Sequence, residues 1–139
     1  MRVVFLFLSV LSANLLFAQQ MDTLKRPAVD TTVFIKVDIE ASVDAKQWID
    51  HLSEVLRPYI EKAARKGMKA GTYTVQVKFL VERDGSINDV QALNDPGYNL
   101  AKGAEKAIRT GPRWTAGEMN GKKVRSYHTQ PITFVIQQQ

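Results

Sequence analysis

Residues 72–82 alternate cleanly: Tyr73, Val75, Val77, Phe79 and Val81 are apolar, while Thr72, Thr74, Gln76, Lys78 and Glu82 occupy positions between them. Successive side chains of a strand point to opposite faces, so this pattern predicts a strand with one buried face. Arg83-Asp84-Gly85-Ser86 follows, and its Asp-Gly pair predicts a hairpin with a return strand from Ile87 to about Asn94. Ile87 and Val90 differ in parity, so both reach one core only if a bulge lies at Asn88-Asp89.

Two stretches carry the helical period instead. Trp48, Leu52, Val55, Leu56 and Tyr59 fall on one side of a helix that Asp44, with Gln47 three positions on, is placed to cap. Pro58 is expected to end or bend it, with a further helical stretch from about Tyr59 stopped by Gly67. Leu100, Ala104, Ala107 and Ile108 make a second one-sided helix between the loop Asn94-Asp95-Pro96-Gly97 and the stop Gly111-Pro112. Asn120-Gly121 marks a turn. Residues 124–137 have strand composition, with Ile132, Phe134 and Ile136 on one side and Tyr127, Thr129, Thr133 and Val135 on the other. Pro131 cannot donate to a ladder, which makes this final strand an edge. Residues 33–40 alternate well enough for a short strand bearing Val33, Ile35, Val37 and Ile39 on one side.

The N-terminus reads differently. After Met1-Arg2 the chain is apolar from Val3 to Phe17 and closes on Ala18-Gln19-Gln20, the layout of a secretory signal peptide cut after Ala18. The alternative, a retained membrane anchor, needs roughly 17–25 apolar residues, and this run falls short. With no cysteine in the chain there is no lipoprotein, disulfide, thiolate nucleophile or cysteine metal site. The expected organisation is a signal peptide over 1–18, a polar lead over 19–32 and one domain over 33–139, exported to the periplasm. The whole chain carries a formal charge of +5, with many of its basic residues spread between Arg57 and Arg125. They read as solvated faces, or as a surface for acidic partners or anionic membrane. Nucleic acid is not an expected partner after export.

The raw material for catalysis is thin. His51 and His128 are the two histidines, neither in a metal-ligand spacing, and no serine has a Gly-x-Ser-x-Gly setting. Glu82 and Asp84 flank a turn and read as solvent-facing. No catalytic, cofactor-binding or metal-binding residue and no small-molecule substrate is therefore expected.

In order and at their spacings, residues 77–87 (Val-Lys-Phe-Leu-Val-Glu-Arg-Asp-Gly-Ser-Ile), residues 111–124 with Pro112-Arg113-Trp114 at their head, and Gln130-Pro131-Ile132-Thr133-Phe134 resemble the C-terminal domain of the TonB family. The resemblance covers roughly 33–136. It implies an α+β fold, a small three-stranded antiparallel sheet backed by two helices, with Trp114 as a packing anchor at the helix–sheet seam. It also implies a protein-binding role, in which the last strand receives an extended segment of an outer-membrane transporter by strand addition. Carried onto this chain, the partner-binding positions are Tyr127, His128, Gln130, Ile132, Thr133, Phe134, Val135 and Ile136. The other reading of the same edge is structural: a second copy or an envelope scaffold pairs there. Two departures from the family stand out. The aromatic-Pro-Gly-Gly stretch that many relatives carry before the first helix is replaced by Glu40-Ala41-Ser42-Val43-Asp44. The lead over 19–32 is too short to bridge two membranes, so coupling to the inner-membrane proton-driven motor by this chain alone is not expected.

Overall fold

The computed structural model of the protein describes residues 30–138; the expected signal peptide and most of the expected lead lie outside them. Helix α1 (Ala45–Arg65) begins where Asp44 Oδ1 accepts the Gln47 N–H at 2.9 Å. It ends in a Schellman closure: the Gly67 N–H donates to Ala64 O, the Met68 N–H donates to Ala63 O, and Gly67 takes the left-handed φ of 90° that the motif requires. Met68, buried, seals the turn. Of the expectation that Pro58 ends or bends the helix, the ending is corrected, since α1 runs through it as one element. Proline removes the donor for the Glu54 carbonyl, but Glu54 and Pro58 are both exposed, where solvent can stand in for the lost donor.

The sheet is built on β2 (Gly71–Val81). On one side it pairs over its whole length with antiparallel β6 (Arg125–Ile136), and on the other with antiparallel β3 (Ile87–Ala92). A two-residue strand, β1 (Val33–Phe34), adds in parallel to Arg125 and Ser126, so the strand order is β1-β6-β2-β3. The three-stranded antiparallel sheet is thus present, with a short parallel strand appended. The strand expected over 33–40 is cut to its first two residues. The chain then leaves β6, and the N–H groups of Asp38 and Ile39 both turn to Glu118 O, at 3.0 and 3.1 Å.

The hairpin after β2 needs glycine twice over. Gly85 sits at φ 84°, and a Cβ there would collide with the carbonyl oxygen of Trp114. The bulge falls one residue later than expected: Lys78 faces Gln91 and Leu80 faces Asn88, leaving Asp89 and Val90 opposite Phe79, with Asp89 at φ 50°. The extra residue turns both Ile87 and Val90 toward the core. A second hairpin, β4 (Glu118–Met119) and β5 (Lys122–Lys123), closes on Asn120-Gly121, both at positive φ as a type I′ turn demands.

The core lies between the sheet and its helices. Val75, Val77, Phe79 and Val81 of β2 join Ile132, Phe134 and Ile136 of β6 against α1 and α2 (Leu100–Arg109), whose Leu100, Ala104, Ala107 and Ile108 are buried. Trp114 sits edge-on to Phe79 at 5.0 Å and to Trp48 at 5.9 Å, which ties the segment after α2 to both layers. Among the described residues no helix is long and apolar enough to cross a membrane.

Candidate functional site

A sheet exposes backbone donors and acceptors along its two edges, and natural proteins close such edges unless they are used. Here the two edges are treated differently. At β3 the bulge interrupts the ladder, and two side chains of α2 take up outward backbone groups. The Ala92 N–H donates to Glu105 Oε1 at 3.1 Å, and Arg109 Nη2 donates to the Val90 carbonyl at 3.3 Å. Arg109 also pairs with Glu105 at 3.1 Å, so the two caps brace each other. Beyond the end of β3, Asn94 stands in for the missing strand: its Oδ1 accepts the Gln76 N–H at 2.8 Å and its Nδ2 donates to Thr74 O at 2.9 Å.

The β6 edge is covered far less: among the described residues the side-chain contact on the backbone of its outer row is Gln130 Nε2, which donates to the Pro131 carbonyl at 3.4 Å. β1 occupies it at Arg125 and Ser126, a pairing that takes up the Tyr127 N–H, and among the described residues no strand pairs with the outer side of residues 128–136. Which groups face outward follows from β2. Gln76 and Thr74 spend their backbone groups on Leu93 and Asn94, on the β3 side. Direction alternates along a strand, so Tyr73, Val75, Val77 and Phe79 address β6 instead. Their partners there are Phe134, Ile132, Gln130 and His128. The alternate residues of β6, Tyr127, Thr129, Pro131, Thr133 and Val135, therefore aim their backbone groups away from the sheet. Pro131 falls in this outer row, so its missing N–H costs the β2 ladder nothing.

The eight positions singled out from the sequence divide accordingly. Ile132, Phe134 and Ile136 are buried in the core, with backbone groups committed to β2. Gln130 and His128 share that parity. The His128 ring packs on Trp114 at 5.1 Å and Phe79 at 5.6 Å, and its Nδ1 lies 3.7 Å from Glu40 Oε2. Tyr127, Thr133 and Val135 belong to the outer row. Thr133 Oγ1 is 3.3 Å from Thr74 Oγ1, and Val135 is 52% exposed. Tyr127 is held in place: Lys78 Nζ sits 4.4 Å from its ring centre, and its hydroxyl donates to Asp89 Oδ2 at 2.6 Å. That hydrogen bond holds the phenol above its ordinary pKa. Thr129 joins the row as a residue that sequence reasoning left out, although it shares the parity of Tyr127 and Thr133.

The start of the open edge is fixed by Arg125. Its Nε and Nη2 grip the Glu82 carboxylate at 2.6 and 3.0 Å, while Nη1 donates to Thr31 O at 2.9 Å and so holds the entry to β1. The Arg125 contact, outweighing the effect of burial, lowers the Glu82 pKa below its ordinary value. Asp84 is likewise occupied, accepting from the N–H and hydroxyl of Ser86. His51 Nε2 lies 2.9 Å from Ala107 O near the end of α2, a fastening between helices. Among the described residues no three His, Asp or Glu side chains gather as a metal site.

Residues 57–136 match the family model described as Gram-negative bacterial TonB protein C-terminal, a match over more than half of the chain. The class defined by fold and family is a protein-interaction domain of the TonB type, associated with the Gram-negative envelope and not an enzyme family. The protein belongs to the TonB C-terminal family. No curated protein matches the chain.

Proposed function

We propose that this protein is a non-enzymatic, exported binding module of the periplasm, cleaved after Ala18, that takes an extended segment of a partner protein as an added strand along β6. The partner is an outer-membrane transporter of the TonB-dependent kind or another envelope protein. One observation carries this reading: the β3 edge is capped by Glu105, Arg109 and Asn94, while the outer row of β6 is open at Thr129, Thr133 and Val135. The row offers N–H groups at Thr129, Thr133 and Val135 and carbonyls at Tyr127, Thr129, Thr133 and Val135, the alternating array that an incoming strand completes. Main-chain pairing supplies affinity, and exposed side chains such as Val135 supply selectivity. The test is calorimetric titration of the protein with peptides carrying the short N-terminal box of such transporters. Saturable binding that weakens in Thr133→Pro and Val135→Pro, with folding intact, is expected. Binding unaffected by either proline would move the site off this edge, and a dimer that needs the same edge, with no peptide binding, would assign it to self-association.

A further inference from the structure

The structure gathers on its helical layer a set of cations that the strand edge does not use. α1 and α2 pack antiparallel: Gly111 abuts Trp48, His51 reaches Ala107, and Gly103 presses so close to Tyr59 that a Cβ there would stand 2.7 Å from the ring. Along this seam lies a cleft of about 300 Å³ lined by Pro58, Tyr59, Lys62 and Lys106. Lys102 lies one helical turn before Lys106, and Lys66 one turn after Lys62, so exposed lysines continue along both walls. Among the described residues none of these four lysines has an ion-pair partner, whereas the arginines nearby do: Arg65 with Glu61 and Arg109 with Glu105. One unpaired carboxylate, Glu54, stands one turn before Pro58 at the far end.

Helix electrostatics accounts for part of this set. Lys62 and Lys106 lie in the last turns of their helices, where a cation is favoured. Lys102 is the third residue of α2, in a first turn with no acidic residue, where a cation opposes the helix dipole. Its placement gains nothing from the helix dipole and is one that an external anion would favour. We infer that this face, Lys62, Lys66, Lys102 and Lys106 around the α1–α2 cleft, docks on an anionic phospholipid surface through its phosphate esters. Lysine suits that occupant: its ammonium is a point charge on a flexible stem that follows mobile headgroups, whereas the planar fork of arginine suits fixed, bidentate partners. The face lies on the helical layer and the open edge in the plane of the sheet, so lipid docking leaves β6 accessible. The inference is independent of strand addition.

The experiment is co-sedimentation of the full chain with vesicles of equal parts phosphatidylglycerol and phosphatidylcholine, against vesicles of phosphatidylcholine alone. The comparison protein is the full chain with Lys62→Ala, Lys102→Ala and Lys106→Ala, so the N-terminal residues are common to both. A lysine near an anionic surface is worth roughly fivefold in binding, so the triple variant is expected to lose roughly 100-fold on the anionic vesicles and nothing on the neutral ones. Raised salt should abolish the difference. Equal binding of parent and variant to anionic vesicles, at matched thermal stability, overturns the inference. So does parent binding to polyglutamate or to inorganic phosphate without binding to the anionic vesicles, which would assign the cleft to an acidic protein or a free anion.

Discussion

Replacing Thr133 by proline removes an N–H that points away from β2, whereas the same change at Ile132 removes one that donates to Val75 across the ladder. The two positions are adjacent, so the comparison isolates backbone direction. Val75 and Ile132 are both fully buried, so Ile132→Pro strands the Val75 carbonyl where no water reaches it. The lost hydrogen bond contributes about 0.5–1.5 kcal/mol, and the orphaned carbonyl costs about 1–3 kcal/mol more. Measured against Ile132→Ala, which accounts for the missing side chain, Ile132→Pro should lose a further 2–4 kcal/mol or so. In a domain of this size that lowers Tm by on the order of 10 °C or more. Thr133→Pro breaks no such contact and should stay within about 1 kcal/mol of Thr133→Ala, since both lose the same Thr74 hydroxyl contact. Thermal and urea unfolding followed by circular dichroism reads all four variants. Equal penalties for the two prolines, or a larger one at Thr133, would mean that the outward row runs through His128, Gln130, Ile132 and Phe134, and the account of the site would be wrong.

Other consequences are accessible by the same means. Phe79→Ala empties a fully buried aromatic site and should cost about 3–5 kcal/mol, while Lys78→Ala on the opposite face should cost about 1 kcal/mol or less, the value of its contact with Tyr127; matching melting temperatures would refute the assignment of faces. Glu105→Ala frees the Ala92 N–H and releases Arg109, so light scattering should detect self-association beyond that of the parent, and an unchanged mass would deny Glu105 its role as an edge cap. Glu82 is held below its ordinary pKa of 4.5 mainly by Arg125, so its contribution is fully present above that value and is lost as pH falls through the lower folded one. Stability measured against pH should therefore converge for Glu82→Gln and the parent in acid, and a constant gap would contradict the linkage.

Much of the fold was legible because it rests on local periodicity. The alternation from Tyr73 to Val81, the Asp-Gly turn and the Asp44 cap each act within a few residues, and each has its counterpart in the structure. The misreadings arose where distant chain decides. Pro58 is a helix breaker by local rules, yet its exposed setting lets solvent stand in for the lost donor and α1 continues. The alternation of Val33, Ile35, Val37 and Ile39 fits a strand, but β6 accepts only two residues before Glu118 takes the next N–H groups, and Ile35 is left 85% exposed. The site was legible as a strand and, through Pro131, as an edge, but which of its residues face outward was not. Whether Thr129 or Gln130 faces outward depends on the register against β2, which Asn94 and Leu93 reveal from the far side of the sheet. The closing of the β3 edge by Glu105 and Arg109 depends on how α2 lies across β3, which no local pattern encodes.

The central claim, that a partner strand pairs with the outer row of β6, is tested most directly by amide hydrogen exchange read residue by residue by NMR, with and without a bound transporter-box peptide. In the free protein the amides of Ile132 and Phe134 should already be protected through β2, while those of Thr129, Thr133 and Val135 exchange fast. Saturating peptide should slow Thr129, Thr133 and Val135 and leave the protection at Ile132 and Phe134 essentially as it was. Saturable binding with those three amides still exchanging at their free rates would contradict strand addition at this edge.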